Sequence, residues 1–354
     1  GGFAIMPHMS APVIEKLCCR EVLVIFEFKL LINWSCRDCP DENEDKIEIA
    51  DLKAIEDISN IYSNNSFNFG DIDFDISINW DEFKSILIES YDVNGRFYKA
   101  INGSLYKQVT PVDIITLPIS INTTSDMNLT EVRRYLHRYL IDLFLVCNLS
   151  APGIIDFYNA KLDGDDEYTP FKISSFAFRC ALENLTKKKV PYVVFSDIKH
   201  AKDWFESLNI GMKMTANSSV EKAMFSLLHV IKIDGYDIGA IPWIFHALEA
   251  IYGTNAGRGF NDLSEKVNFL LTVEERQKKA LKKQLRELND MRSKFVHGGF
   301  NVSHPMDYDL NEQVNDLANF GVSLVISSIQ SLMLNDWNEI GVVEKIYGHK
   351  ITAS

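Results

Sequence analysis

The stretch Leu285–Phe300, LRELNDMRSKFVHGGF, sets an arginine and a histidine five residues apart at the end of a helical pattern. Leu281, Leu285, Leu288 and Phe295 recur at three- and four-residue spacings and form one apolar stripe. Arg292 falls four residues after Leu288, on or beside that stripe. A guanidinium placed there needs a carboxylate, a phosphate or an interface to satisfy its fork of donors. His297 is followed by Gly298-Gly299, a strong helix stop, so it belongs to the last turn, where the free carbonyls favour an imidazolium. Five residues leave two side chains about 140° apart on an ideal helix. Both reach one phosphate only if the helix unwinds at the glycines, or if two copies of the chain meet about a two-fold axis.

Arg276, Lys278, Lys279, Lys282, Lys283 and Arg286 lie just upstream on the same helical pattern, and Lys294 lies within the motif. This stripe is either a solvated helix face or a cradle for a nucleic-acid backbone. Other candidates carry less. Cys36-x2-Cys39 has metal-ligand spacing, and Cys18 with Cys19 would complete four thiolates. Adjacent cysteines seldom both ligate one ion, however, and no second spaced pair exists, so no metal site is assigned. The glycine-rich segment 253–259 lacks the Gly-Lys-Ser/Thr ending of a phosphate loop and follows a helix rather than a strand, which makes it an inter-helix loop. His137, beside Arg133, Arg134 and Arg138, reads as part of a solvated helix face. The first half holds no nucleophile–base constellation.

The elements that must position Arg292 and His297 change character near residue 215. Over residues 10–214 the pattern reads as a β-rich domain. Strands are expected at Glu21–Ile32, over Ile72–Trp80 from its strict alternation, and at Asp113–Ile121, Ile154–Tyr158, Phe171–Phe178 and Pro191–Phe195. Residues 38–45 form an acidic turn region. Asn-Gly pairs at 94–95 and 102–103 mark hairpin turns. Helices are expected at Thr130–Val146, capped by Thr130, and at Asp197–Leu208. From Ser218 the spacing turns helical, with further helices at Pro242–Tyr252, Leu263–Leu271, Glu274–Phe295 and Leu310–Leu334. The fold class is therefore α+β: a β-rich mixed domain over 10–214, a helical bundle over 215–340 and a tail over 341–354. Residues 1–9 read as vector-derived, ahead of a start near Met9.

The 354 residues carry a net charge of -13, which excludes a protein that coats nucleic acid or anionic membrane by bulk charge but leaves room for a local basic groove. Residues 215–354 hold 14 basic and 17 acidic residues, so most of the acidity belongs to the first half. No apolar stretch is expected to span a membrane; the best candidate, Val22–Trp34, is short and contains Glu27 and Lys29. Six cysteines in a chain of this length suit a reducing compartment, so the expectation is a soluble cytoplasmic protein.

RSKFVHG, at the end of a long helix and ahead of the last helix of a bundle, resembles the ribonuclease motif of HEPN domains, specifically the ApeA-like branch. Ala247–Ala250 and Ser264–Leu271 are similar to that branch's layout, although Lys266 stands where the branch has an arginine. The resemblance covers roughly residues 218–335. It implies a metal-independent endoribonuclease of toxins or anti-phage defence, with no cofactor, acting on RNA as a homodimer through the bundle. Arg292 and His297 would be catalytic, with Ser293 and Glu249 supporting them and Lys294, Lys279, Lys283 and Arg286 binding RNA. The first half would sense a trigger, such as a regulatory protein or a phage component, or restrain the nuclease. The alternative is a non-catalytic dimerisation or partner-binding module, in which Arg292 pairs with a buried carboxylate such as Glu249.

Overall fold

The computed structural model describes residues 23–32, 44–69, 72–92, 97–99, 105–107, 114–124, 126–164, 171–186, 190–232, 238–253, 259–302, 304, 306 and 308–340. Among these, the first half contains β1 (Val24–Ile32), α1 (Glu44–Tyr62), β2 (Asn64–Phe69), β3 (Ile72–Ile78), α2 (Asp81–Asp92), β4 (Phe97–Lys99), β5 (Leu105–Lys107) and β6 (Ile115–Thr123). It continues through α3 (Leu129–Ser150), β7 (Lys161–Leu162), α4 (Phe176–Thr186) and α5 (Ile198–Ser207). The second half is helical: α6 (Ser219–Ile231), α7 (Ala240–Tyr252), α8 (Gly259–Leu270), α9 (Glu275–Val296) and α10 (Tyr308–Leu334).

Five strands form an antiparallel sheet in the order β2-β3-β6-β1-β7. The alternation expected for β3 is present: Phe74, Ile76 and Ile78 are buried while Asp73 and Asp75 face solvent. Helix α3 lies over this sheet through Tyr135 and Tyr139, whose rings stack on Phe69 and Phe67 at 5.3 and 4.8 Å. Its N-cap is Asn128, which forms a reciprocal capping box with Glu131, rather than Thr130.

The first half proves mixed rather than β-rich. Helix α1 was not expected, and the strands expected at 154–158, 171–178 and 191–195 are absent. Phe157 and Ile173 share one isolated bridge, Phe176 opens α4, and residues 190–197 run without regular structure after the cis Val190–Pro191 bond. Ile154, Ile155, Phe157, Phe171, Ile173, Phe178 and Val193 are buried, so they fill a core without joining the sheet. β4 and β5 pair antiparallel across 100–104, while both Asn-Gly turns, most of the 38–45 region and Cys18, Cys19, Cys36 and Cys39 lie outside the described residues.

Every helix expected after Ser218 is present within a few residues, and Ser218 caps α6 with a capping box to Glu221. The buried side chains run as one cluster from Phe28 to Ile340, so the change of texture at 215 is not a gap between two cores. Helix α10 joins them. Its Gln330 amide donates to the carbonyls of Leu149 and Val194, at 2.7 and 2.8 Å, and accepts from Val194 N–H at 3.0 Å. The expectation that no stretch is apolar enough to span a membrane needs correction here. Leu317–Leu334 carries no charge, and Glu312–Leu334 has the length and hydropathy of a span, but 83% of its most apolar window is buried inside the fold. It is a core helix in this structure.

Gly321 of α10 packs closely against the two helices that carry the candidate site. A Cβ there would meet Ile244 of α7 at 2.7 Å and Leu288 of α9 at 3.0 Å. Gly321→Ala is therefore expected to destabilise the protein by about 1–3 kcal/mol through overpacking, despite alanine's better helix propensity. Urea unfolding measures this, and a neutral or stabilised variant would show that the α7–α9–α10 contact has slack.

Candidate functional site

Helix α9 presents Leu281, Leu285, Leu288 and Met291 to the core; Phe295 is only half-buried and meets Phe300 edge-on at 6.4 Å. Arg292 adjoins this buried face, as its spacing after Leu288 implied, and turns toward α7. Its guanidinium lies 5.3 Å over the ring of the buried Phe245 and 3.5 Å from the Glu249 carboxylate. Both members of that ion pair stay open to water, with side chains 37% and 40% exposed. At that exposure the attraction is worth about 0–1 kcal/mol, so Glu249 orients the guanidinium without consuming it. The ring beneath holds the flat cation by its π-face and leaves the edge N–H groups available.

The end of α9 is a Schellman turn. Gly299 N–H donates to the Lys294 carbonyl at 2.7 Å and Gly298 N–H to the Phe295 carbonyl at 3.2 Å, with Gly298 at φ +71°. His297 is thus the C-cap residue, and its backbone N–H reaches Ser293 at 3.1 Å. Its imidazole is exposed and has no partner among the described residues, and Ser293 and Lys294 are exposed beside it.

The structure brings Arg292 and Glu249 together and sets the cationic stripe apart from them. Lys279, Lys283 and Arg286 project from the face of α9 opposite its buried leucines, and so away from α7. Part of the stripe is already neutralised: Arg276 pairs with Glu274 at 2.6 Å, Lys278 with Glu275 at 2.7 Å and Lys283 with Glu287 at 3.7 Å. Arg286 lies 5.4 Å over Phe260.

Lys266, which stands where the sequence led us to expect an arginine, is buried. Its ammonium donates to the carbonyl of Tyr252 at 2.8 Å and lies 3.4 Å from the buried Asp262 carboxylate. It closes the C-terminal end of α7, whose last turn carries Glu249 and ends at Gly253 in a left-handed conformation. Its role in this fold is to hold the α7 terminus. His137 also differs from expectation: it is half-buried and stacked on Phe171 at 4.5 Å. Next to it, Arg138 bonds Asp142, whose carboxyl burial pushes up to about 6 against the pull of that guanidinium. Among the described residues no cluster of three His, Cys, Asp or Glu side chains is arranged to hold a metal.

Sequence reasoning missed Phe245 and a group where α6 meets α7, comprising buried Ser226 and the exposed His229, Trp243 and His246. One signal was legible: Trp243, His246 and Glu249 follow one another at three-residue steps on α7. No protein-family model matches the chain, and no curated protein or solved structure matches it.

Two substitutions test these roles by stability alone. Lys266→Met leaves the Asp262 carboxylate and the α7 carbonyls buried without a partner, and is expected to cost on the order of 3 kcal/mol. Glu249→Gln should stay within about 1 kcal/mol of the parent, because its pair is half-exposed. Denaturant midpoints compare the two, and equal losses would overturn this division between a structural and an orienting pair.

Proposed function

We propose that the chain is an endoribonuclease of the HEPN type that cleaves RNA by attack of the 2′-hydroxyl on the adjacent phosphate. The observation that carries this reading is the state of Arg292: anchored by Phe245 and Glu249, yet with its guanidinium open to water, on the helix that ends at His297, whose imidazole has no partner among the described residues. RNA supplies its own nucleophile, so the protein need only move protons and stabilise charge. His297 takes the 2′-hydroxyl proton or delivers one to the leaving 5′ oxygen. Arg292 stabilises the additional negative charge on the phosphorane. The products carry a 2′,3′-cyclic phosphate and a 5′-hydroxyl. DNA is not cut, because it lacks the 2′-hydroxyl.

A homodimer is part of this reading, since the ends of two α9 helices would supply paired Arg292 and His297 residues to one phosphate. The first half then acts as sensor or restraint within a defence or toxin system. The rival reading, a partner-binding module without catalysis, draws on the Glu249–Arg292 pair being formed within a single chain, and on Val296, Val302 and Met306 standing exposed near the motif.

Cleavage of end-labelled RNA in EDTA by wild type, His297→Ala and Arg292→Ala decides between them. The expected result is cutting by wild type to cyclic-phosphate ends, reduced at least about 100-fold in each variant. Cutting equal in all three would overturn the assignment, and silence of wild type with every RNA tried, together with formation of a stable complex with a protein partner, would favour the module.

A further inference from the structure

The exposed stripe of α7 does not run straight along the helix. Each three-residue step falls about 60° short of a full turn, so Trp243, His246 and Glu249 slant across α7 from its α6 side to its α9 side. Each of the three meets a different neighbour. Glu249 holds Arg292 of α9. Trp243 stacks on His229 of α6, with ring centroids 4.0 Å apart and planes 7° from parallel. His246 bonds Ser226 of α6, from Nδ1 to Oγ at 2.7 Å.

The proton inventory at Ser226 settles the orientation of His246. The single hydroxyl hydrogen of Ser226 goes to the carbonyl of Lys222 at 2.7 Å, which can only accept. His246 Nδ1 must then be the donor to Oγ, and Nε2 is left as the free nitrogen. It has no partner among the described residues, on a residue that is exposed. Ser226 is buried, so the imidazole is pinned from below while its working edge faces water.

Trp243 is prepared in a similar way. One face of the indole is covered by His229, an exposed residue whose pKa is held below its ordinary value first by partial desolvation and then by nearby Lys232, which leaves a neutral ring that stacks at neutral pH. The indole is still 38% exposed, unusual for the largest apolar side chain on a helix whose other aromatic rings, Phe245 and Tyr252, are buried. The His246 ring stands 6.4 Å from it at 75°, so a flat platform and an upright wall with a free hydrogen-bonding nitrogen form a corner.

We infer that this corner is a subsite for one unpaired base of single-stranded RNA: the base stacks on Trp243, His246 Nε2 hydrogen-bonds its edge, and the adjoining phosphate lies toward Arg292. Rigid aromatic faces take any base by stacking, and a fixed polar group beside them selects an edge. The subsite rests on the ribonuclease reading for its ligand class, and it adds a base-recognition function to residues that the Arg-x4-His motif does not contain.

The test uses the full chain and a fluorescein-labelled 2′-O-methyl oligoadenylate hexamer, which cannot be cleaved by 2′-hydroxyl attack. Binding is read by anisotropy and by quenching of tryptophan fluorescence. Wild type is expected to bind with quenching; Trp243→Leu should bind about 5- to 100-fold more weakly, as loss of one stacked base implies, and lose most of the quenching. Trp243→Phe keeps a stacking face and should stay within a few-fold of wild type, and His246→Ala should weaken binding at an unchanged melting temperature. The inference is overturned if wild type does not bind the hexamer, if Trp243→Leu and His246→Ala bind as wild type does, or if Trp243→Phe falls as far as Trp243→Leu. Cleavage assays of wild type and His297→Ala on matched RNA separate the two proposals. Trp243-dependent binding without His297-dependent cleavage keeps the subsite and retires the nuclease, and the converse keeps the nuclease and retires the subsite.

Discussion

Leu317–Leu334 is a run of eighteen residues without a charge, and water must be removed from it on nearly every side. The fold meets that requirement by packing α10 against helices from both halves of the chain: α3, α4 and α5 from the first, and α6, α7, α8 and α9 from the second. Apolar burial has no directional preference and would allow α10 to rotate or slide. Two residues remove that freedom. Gln330 makes three hydrogen bonds to the backbone at Leu149 and Val194, and these are satisfied in only one register. Gly321 permits an approach to Ile244 and Leu288 that a Cβ would crowd. The spacing of α7 from α9, and with it the reach from Glu249 to Arg292, follows from how α10 is seated.

The site is built on that scaffold by separating buried pairs from exposed ones. Lys266 with Asp262, and Tyr252 with Ser328 at 2.5 Å, are buried contacts that hold the end of α7 and fasten it to α10. Arg292 with Glu249, and the free edges of His246 and His297, stand in water, where a charge or a lone pair can still be offered to a ligand. The difference is one of dielectric: an ion pair sealed from water is costly to break, whereas a half-exposed one exchanges partners for little free energy. A phosphate that arrived beside Arg292 would compete with Glu249 on nearly equal terms.

Several features were legible because they depend on local periodicity. The helices after Ser218, the alternation in β3 and the glycine stop after His297 all register within one or two turns of chain. Helix α1 was equally legible, since Ile47, Asp51, Ala54, Ile55, Ile58 and Tyr62 recur at helical spacing, and all are buried. It was overlooked because acidic residues at its start resemble a turn. The failures at 154–158, 171–178 and 191–195 have another origin. Short apolar runs look alike whether they pair in a sheet or are covered by helices, and only the neighbours distinguish the two.

The sequence alone determined that an arginine would adjoin the buried stripe of α9, that a histidine would close that helix, and that a helical half would follow a mixed one. Each is set by residue type and by contacts a few positions away. Only the tertiary structure decided which carboxylate meets Arg292, that Phe245 lies beneath it, that Lys279, Lys283 and Arg286 face away from α7, and that Ser226 of one helix fixes the ring of His246 on another. Those contacts join residues 20 to 47 positions apart in the chain, and they exist only because burial of α10 brings their helices together.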